Sequence, residues 1–396
     1  MNLKERIKRR LRRIYKYYRY KIYFPRIYRS YCREPVIDNK VLFLEMRFDQ
    51  LSHSFHRLYD LLEASGEYHI SVAYAHFNFA RGREYTAYVR KALKEIASSR
   101  FVFVDEASII LSCIPLREET TAINLWHACG AFKRFGRSTA MKLFGDSAGE
   151  LDKYPNYENL SLVTVSSPEV VWAYEEAMNL PEGIVQPLGI SRTDCFYDSA
   201  FVESRREKLH EIMPQSRDKK VILYAPTFRG RVATATSPDE IDFAEMKKQF
   251  GEDHVLICKL HPYVKEHPPI PEEAADFALD VEGTDLSIED LLCCADICIS
   301  DYSSLVFEYS LFEKPIIFYA YDYDDYCDWR GFYYDYSEFT PGPVVTTQQE
   351  LMDAIRQCDE NFDPALVRAF KKKFMENCDG HATDRIMAYM KDKQLQ

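Results

Sequence analysis

The stretch Asp296-Ile297-Cys298-Ile299-Ser300-Asp301-Tyr302-Ser303-Ser304-Leu305-Val306-Phe307-Glu308-Tyr309-Ser310-Leu311-Phe312 decides the fold class. Its first five residues read as a short buried strand, and Leu305 to Phe312 read as a helix with Ser303 or Ser304 near its N-cap. Lys314-Pro315 stops that helix, and Ile316-Ile317-Phe318-Tyr319 reads as the next strand. A strand that feeds a hydroxyl-rich loop at a helix N-terminus makes an anion site. The first N–H groups of the helix have no helical partner, and its dipole favours negative charge there. A phosphorylated ligand is therefore expected. An ordinary N-capped crossover helix would show the same residues.

The same alternation runs outward in both directions. Lys40 to Leu44, His69 to Tyr74, Arg100 to Val104, Ala122 to Trp126, Leu162 to Ser166 and Gly183 to Val185 read as strands, with helices through Ser54–Leu62 and Tyr88–Ser98. After a polar helical stretch, Ser199 to Gln215, strands restart at Lys220 to Tyr224 and His254 to Lys259. Strands alternating with helices predict parallel, doubly wound sheets, here two α/β halves in tandem. The expected division is a basic segment over 1–34, an N-terminal half over 35–205 and a C-terminal half over 206–396. Ligands in such folds bind at the carboxyl ends of the strands.

Length and composition agree with two domains. The chain has 396 residues, 46% apolar and 29% charged, with 28 Tyr and 25 Phe. No run reaches the roughly 18–20 apolar residues that span a bilayer, and the N-terminus lacks the apolar core of a secretory signal. The 11 cysteines show no framework spacing and no CxxC pair, so reduced thiols, a cytoplasmic compartment and no metal are expected.

The net charge of −11 hides an asymmetry. Residues 1–33 carry 13 Lys and Arg against Glu5 alone, a net +12 that leaves −23 for the rest. Leu3, Ile7, Leu11, Ile14, Tyr18 and Ile22 recur at helical spacing, which gives an apolar stripe with cationic flanks. Tyr15, Tyr17, Tyr20 and Tyr23 suit a headgroup boundary. The segment reads as a peripheral anchor on an anionic membrane. Nucleic acid is the rival partner of a basic arm, but the acidic remainder would repel a polyanion.

Several polar residues fall just after predicted strands. His127 follows one and has the residue type of a general base, with Gly130 and Lys133 nearby. Thr227 and Arg229 follow another, and Arg229 has the fork that grips phosphate. His261 follows the next, then Asp301, Ser303 and Ser304. In Asp49-Gln50-Leu51-Ser52-His53-Ser54, the Ser and His either line a binding face or start a helix. The tract Tyr319 to Arg330 is dense in aromatics and acids. It lacks the glycine and glutamate spacing of a calcium loop and reads as a structured loop, with Arg330 a further phosphate contact.

These motifs, in this order, resemble the CDP-glycerol glycerophosphotransferases of the teichoic acid polymerase type. The resemblance rests on Trp126-His127 with Lys133 and Gly136, on Gly189-Ile190-Ser191-Arg192-Thr193-Asp194, on Tyr224-Ala225-Pro226-Thr227-Phe228-Arg229, and on Leu260-His261. Asp301-Tyr302-Ser303-Ser304, Arg330-Gly331-Phe332-Tyr333 and Pro341-Gly342-Pro343 complete it. It covers roughly residues 40–385. It implies a GT-B-like fold, two Rossmann-type domains facing a cleft, with an acceptor domain first and a CDP-donor domain second. It implies transfer of an alditol phosphate, glycerol phosphate first, from a CDP-alditol to a hydroxyl of a lipid-linked saccharide or growing polymer. CMP is released, on the cytoplasmic face of the membrane, for teichoic acid or capsule.

By the resemblance His127 is the base. His261, Arg229, Ser303 and Ser304 then stabilise the diphosphate, with Lys133 and Thr227 in the substrate site. Glu308 would take ribose hydroxyls, Asp301 would orient its loop, and neither a cofactor nor a metal is implied. The sequence departs from the family at Ala128-Cys129-Gly130, where Gly-Thr-Pro is common, and at Ser191, where the family has proline. The other readings are a CDP-ribitol ribitolphosphotransferase, a GT-B nucleotide-sugar glycosyltransferase, and a membrane-docked scaffold without catalysis.

Overall fold

The computed structural model describes residues 3–47, 49–75, 82–140, 147–230, 234–238, 240–323 and 331–395. The chain divides into two compact units. One takes the chain through His127, residues 135–194 and the chain from His381; the other takes residues 128–134 and 195–380. The division therefore differs from the expected break at 205/206 in three places. The second unit starts at Cys195, a short segment after His127 belongs to it, and the chain end belongs to the first.

The first unit is built on β1 (Ile37–Glu45), β2 (His69–Tyr74), β3 (Ser99–Val104), β4 (Thr121–Asn124), β5 (Leu162–Thr164) and β6 (Val185–Gln186). Every pairing is parallel, in the order β2-β1-β3-β4-β5-β6. Val41, Leu42, Phe43 and Leu44 are all fully buried, as a strand covered on both faces requires. Phe43 stacks on Phe103 at 5.2 Å and meets Phe55, on the helix His53–Ser65, edge-on at 5.2 Å. The order reverses between β1 and β3, which places a ligand-binding crevice at their carboxyl ends.

Two helical segments frame this sheet. Phe24 and Tyr28, on the helix Phe24–Tyr31, are buried, and the Tyr20 hydroxyl meets that of Tyr85 at 3.0 Å. Ahead of them the helix Leu3–Tyr17 passes into a π-helical turn, Tyr18–Tyr23. Its Ile7, Leu11 and Ile14 are 52%, 60% and 56% exposed, so the apolar stripe faces solvent. Among the described residues no helix is long and apolar enough to cross a membrane.

At the other end of the chain, the helix Ala382–Leu395 inserts Ile386 and Met390 into the first unit's core. Asp194 holds its start, accepting from Ala382 N at 3.1 Å, Thr383 N at 2.8 Å and the Thr383 hydroxyl at 2.6 Å. Ser191, the departure from proline, hydrogen-bonds the same Thr383 hydroxyl at 2.9 Å. That departure serves the anchoring of this helix.

The second unit carries β7 (Lys220–Tyr224), β8 (His254–Cys258), β9 (Ala278–Asp280), β10 (Ile297–Ser300), β11 (Ile316–Tyr319) and β12 (Val344–Val345). They are parallel in the order β12-β11-β10-β7-β8-β9. Read from β9, this is the doubly wound nucleotide-binding order, with its reversal between β7 and β10. The sequence reading did not include β9 and β12. The helix after β10 runs only from Leu305 to Ser310, shorter than the reading to Phe312.

The segment 128–134 is part of this second unit. Lys133 forms an antiparallel bridge with Phe332, and Tyr333 N donates to Phe132 O at 2.9 Å. The Phe132 ring lies on Phe339 at 4.5 Å and on Phe332 at 4.9 Å. Gly130, at φ +62°, is needed here because a Cβ would sit 2.2 Å from the Phe307 ring. The glycine lets the backbone pass close to a core phenylalanine.

Candidate functional site

In the first unit the site is organised by the turn after β4. Trp126 has φ +54°, a conformation that costs a bulky residue about 1–3 kcal/mol and persists only where the surroundings enforce it. Its N–H donates to Asn124 Oδ1 at 2.8 Å, and its ring lies 5.2 Å from Phe135 and 5.9 Å from Tyr174. The strained turn presents His127, whose ring is 4.5 Å from that of Trp126 and whose side chain is 34% exposed.

The His127 tautomer follows from one contact. Nδ1 lies 2.8 Å from the Asp105 carbonyl, which can only accept. Nδ1 therefore carries a proton, and in the neutral ring Nε2 holds the lone pair. Arg192 Nη2 donates to the His127 carbonyl at 3.1 Å, so the Gly189–Asp194 motif fixes the turn from the side.

In the second unit β7 and β10 bring Thr227, Arg229 and Asp301 together. Asp301 is 1% exposed and accepts from Thr227 N at 2.8 Å, Tyr302 N at 2.5 Å and Arg229 Nη1 at 2.9 Å. These bonds tie the loops after β7 and β10 together. Arg229 binds Asp322 through Nε at 2.5 Å and Nη2 at 2.9 Å, and Nη1 also donates to Thr227 O at 2.5 Å. Burial opposes its charge, but Asp301 and Asp322 outweigh that and drive its pKa up. Its fork is committed to carboxylates, so Arg229 is a brace between the loops after β7, β10 and β11. Tyr302 closes the brace, its hydroxyl donating to Asp322 at 3.0 Å.

Thr227 is 6% exposed, and its hydroxyl oxygen is buried with no hydrogen-bond partner among the described residues. His261 sits between Phe228 at 4.8 Å and Tyr263 at 4.6 Å. Its Nδ1 accepts the Tyr263 N–H at 3.2 Å, so in the neutral ring the proton is on Nε2. The two histidines thus hold opposite tautomers. His127 offers a lone pair at Nε2, and His261 offers a proton there.

Ser304 stands at the N-cap of the helix Leu305–Ser310 without a side-chain cap bond, while Ser303 Oγ accepts weakly from Leu305 N at 3.4 Å. Glu308 is 3% exposed, which rules out a solvent-facing role. Lys133 belongs to the second unit and His127 to the first. Arg330 lies outside the described residues. Among the described residues no group of three or more His, Cys, Asp or Glu could hold a metal ion.

Comparison with known proteins adds the family. The model of the CDP-glycerol:poly(glycerophosphate) glycerophosphotransferases matches residues 26–391. The chain belongs to this family. A relative from Bacillus spizizenii, a teichoic acid ribitol-phosphate primase, is 35% identical over 363 residues, 90% of this chain and 92% of that protein. The teichoic acid poly(ribitol-phosphate) polymerase of the same organism is 33% identical over 89% of this chain, which spans 56% of that protein. Among solved structures, the wall teichoic acid polymerase TagF shares the fold at a TM-score of 0.75 and 20% identity, covering 100% of each chain. The fold is thus the GT-B-like α/β type.

Within this glycerophosphotransferase-family chain, sequence reasoning missed the residues that hold His127. Glu45, Asp105 and Glu106 end apolar strand runs, a position that itself marks a site in a parallel sheet. Ser52 precedes the helix His53–Ser65 but makes no side-chain cap; its hydroxyl donates to Asp105 instead. Asp322 was inside the tract read only as a loop.

Proposed function

We propose that this chain transfers an alditol phosphate from a CDP-alditol to a hydroxyl of a lipid-linked saccharide, releasing CMP. The observation that carries the reading is the opposite protonation of the two histidines. The acceptor oxygen attacks the phosphorus that bears the alditol, its proton passes to His127 Nε2, and the bond from that phosphorus to CMP breaks. His261 donates its Nε2 proton in a hydrogen bond to the phosphate oxygens of the departing CMP. Such transfer depends on positioning and charge neutralisation more than on covalent chemistry.

The Thr227 hydroxyl, Ser303, Ser304 and Lys133 take the remaining phosphate oxygens, Glu308 takes ribose hydroxyls, and Arg330 adds a cation. Arg229 and Asp301 hold the loops in place. On this reading the first unit serves the acceptor and the second the CDP donor. The exposed apolar stripe of residues 3–17, flanked by arginines, supports attachment to the anionic cytoplasmic face of the membrane. Glycerol comes from the family description, and the near full-length match to a ribitol-phosphate primase puts ribitol beside it.

The test is CMP release from CDP-glycerol and from CDP-ribitol, each with a lipid-linked disaccharide. One donor should give acceptor-dependent CMP, and His127→Ala should lower it by about two to four orders of magnitude with CDP still bound. Turnover retained in His127→Ala removes it from the base role. No CDP binding by the unaltered protein ends the reading.

A further inference from the structure

His127 stands on a buried network that the proposed chemistry has not used. Glu45 closes β1, and Asp105 and Glu106 follow β3, the two strands between which the sheet order reverses. Glu45 is fully buried and accepts the N–H of Arg47 at 2.9 Å and of Ser52 at 3.1 Å. Asp105 is 3% exposed. Its Oδ2 accepts the Ser52 hydroxyl at 2.6 Å, and its Oδ1 is buried without a hydrogen-bond partner among the described residues. Glu106 pairs with Arg47 at 2.7 Å and lies 3.5 Å from His127 Nδ1. Asn124 Nδ2 donates to the Glu106 carbonyl at 3.3 Å.

The three carboxylates are not equivalent. Arg47 neutralises Glu106, and two backbone N–H groups serve Glu45. Among the described residues the Asp105 carboxylate meets only a neutral hydroxyl, yet its own backbone carbonyl holds the His127 ring. We propose that Asp105 is a positioning residue acting through His127: its carbonyl fixes the proton on Nδ1, and its carboxylate favours the imidazolium formed when Nε2 takes the acceptor's proton. This rests on the reading of the chain as an alditol-phosphate transferase. The balance is that of the proposed reaction, with one proton moved from the acceptor hydroxyl to Nε2 and one P–O bond exchanged for another.

The charge on Asp105 is conditional. Burial pushes its carboxyl up to about 6, the Ser52 hydrogen bond opposes that, Glu45 and Glu106 add to the rise, and His127 opposes it. The groups that face it are therefore Glu45 from β1, Ser52 and the Arg47–Glu106 pair, and His127 from the turn after β4. The carboxylate is present above that pH and lost below it.

Asp105→Asn keeps the shape, the backbone carbonyl and an acceptor for Ser52 while removing the charge. We expect kcat to fall about 10-fold or more with the donor KM within about 2-fold, and the acid limb of kcat to move to lower pH by about half a unit or more. A residue that only shaped the fold would not move that limb, so an unmoved limb overturns the proposal. Ser52→Ala removes the bond that favours the charged form of Asp105. Its loss should be deepest near pH 6 and recover as the pH rises; a loss independent of pH overturns the proposal as well.

NMR of the His127 ring nitrogens in the full chain, assigned by their disappearance in His127→Gln, supplies a readout without turnover. It should show the proton on Nδ1, and a titration moved to lower pH in Asp105→Asn, or in Ser52→Ala should the first variant not fold. An unmoved titration overturns the inference. Absence of CMP release by the unaltered protein sinks the transferase reading alone, because the NMR titration still decides the role of Asp105.

Discussion

Replacing Gly130 by alanine puts a methyl group into occupied space, and the size of the penalty follows from two observations. The backbone there is at φ +62°, which costs an L-residue about 1–2 kcal/mol. The new Cβ would lie 2.2 Å from Cε1 and Cζ of Phe307 and 2.4 Å from Cδ1. Phe307 is fully buried, with Phe370 at 5.2 Å, Phe339 at 5.5 Å and Phe374 at 5.7 Å, so the ring has no open space to enter. Overpacking of this kind costs about 1–3 kcal/mol. Gly130→Ala should therefore destabilise the second unit by about 2–5 kcal/mol, read as a lower urea midpoint at an unchanged slope. The steric part can be separated. Phe307→Leu shortens the obstructing ring, so the double variant should lose less than the two single losses together, by about 1–2 kcal/mol. A loss below about 0.5 kcal/mol in Gly130→Ala, or strict additivity in the cycle, would refute the contact.

Two further outcomes follow from features already described. Thr227→Val should leave stability unchanged or raise it by up to about 1 kcal/mol, because the hydroxyl it removes is buried without a protein partner. The same variant should weaken CDP binding in calorimetry about 10-fold, and unchanged binding would take that hydroxyl out of the donor site. Exchanging Arg9, Arg10, Arg12 and Arg13 for glutamate should leave thermal unfolding in place while abolishing flotation with anionic vesicles, since each basic residue near such a surface contributes about 1 kcal/mol. Equal flotation of both proteins would remove residues 3–17 from a membrane role.

What the sequence disclosed and what it hid have physical reasons. β1, β7 and β10 are apolar runs because both faces of their sheets are covered, and such runs are legible without partners. β9 and β12 have three residues and two, too short for any period to show. The loop order Thr227, His261, Asp301 was legible because polar residues interrupt those runs at their carboxyl ends. Asp105 sits at an equivalent place, but its meaning depends on Ser52 arriving after β1 and His127 after β4. The Arg229 fork looked made for phosphate because its partner, Asp322, is 93 residues away. The membership of residues 128–134 in the second unit was hidden for the same reason, resting on Phe332 and Phe339 about 200 residues downstream.

The capping of the last helix by Asp194 has a consequence for how this protein is made. The sheet that carries His127 is assembled from residues translated before the second unit, yet Ile386 and Met390 in its core are translated after it. Domains ordinarily close in the order of synthesis. Here the later-encoded unit has all its residues while the earlier one still waits for the helix from Ala382, with apolar surface open on the ribosome throughout. A nonsense codon just ahead of Ala382 therefore strikes the half that began folding first, and leaves the half encoded beside it whole.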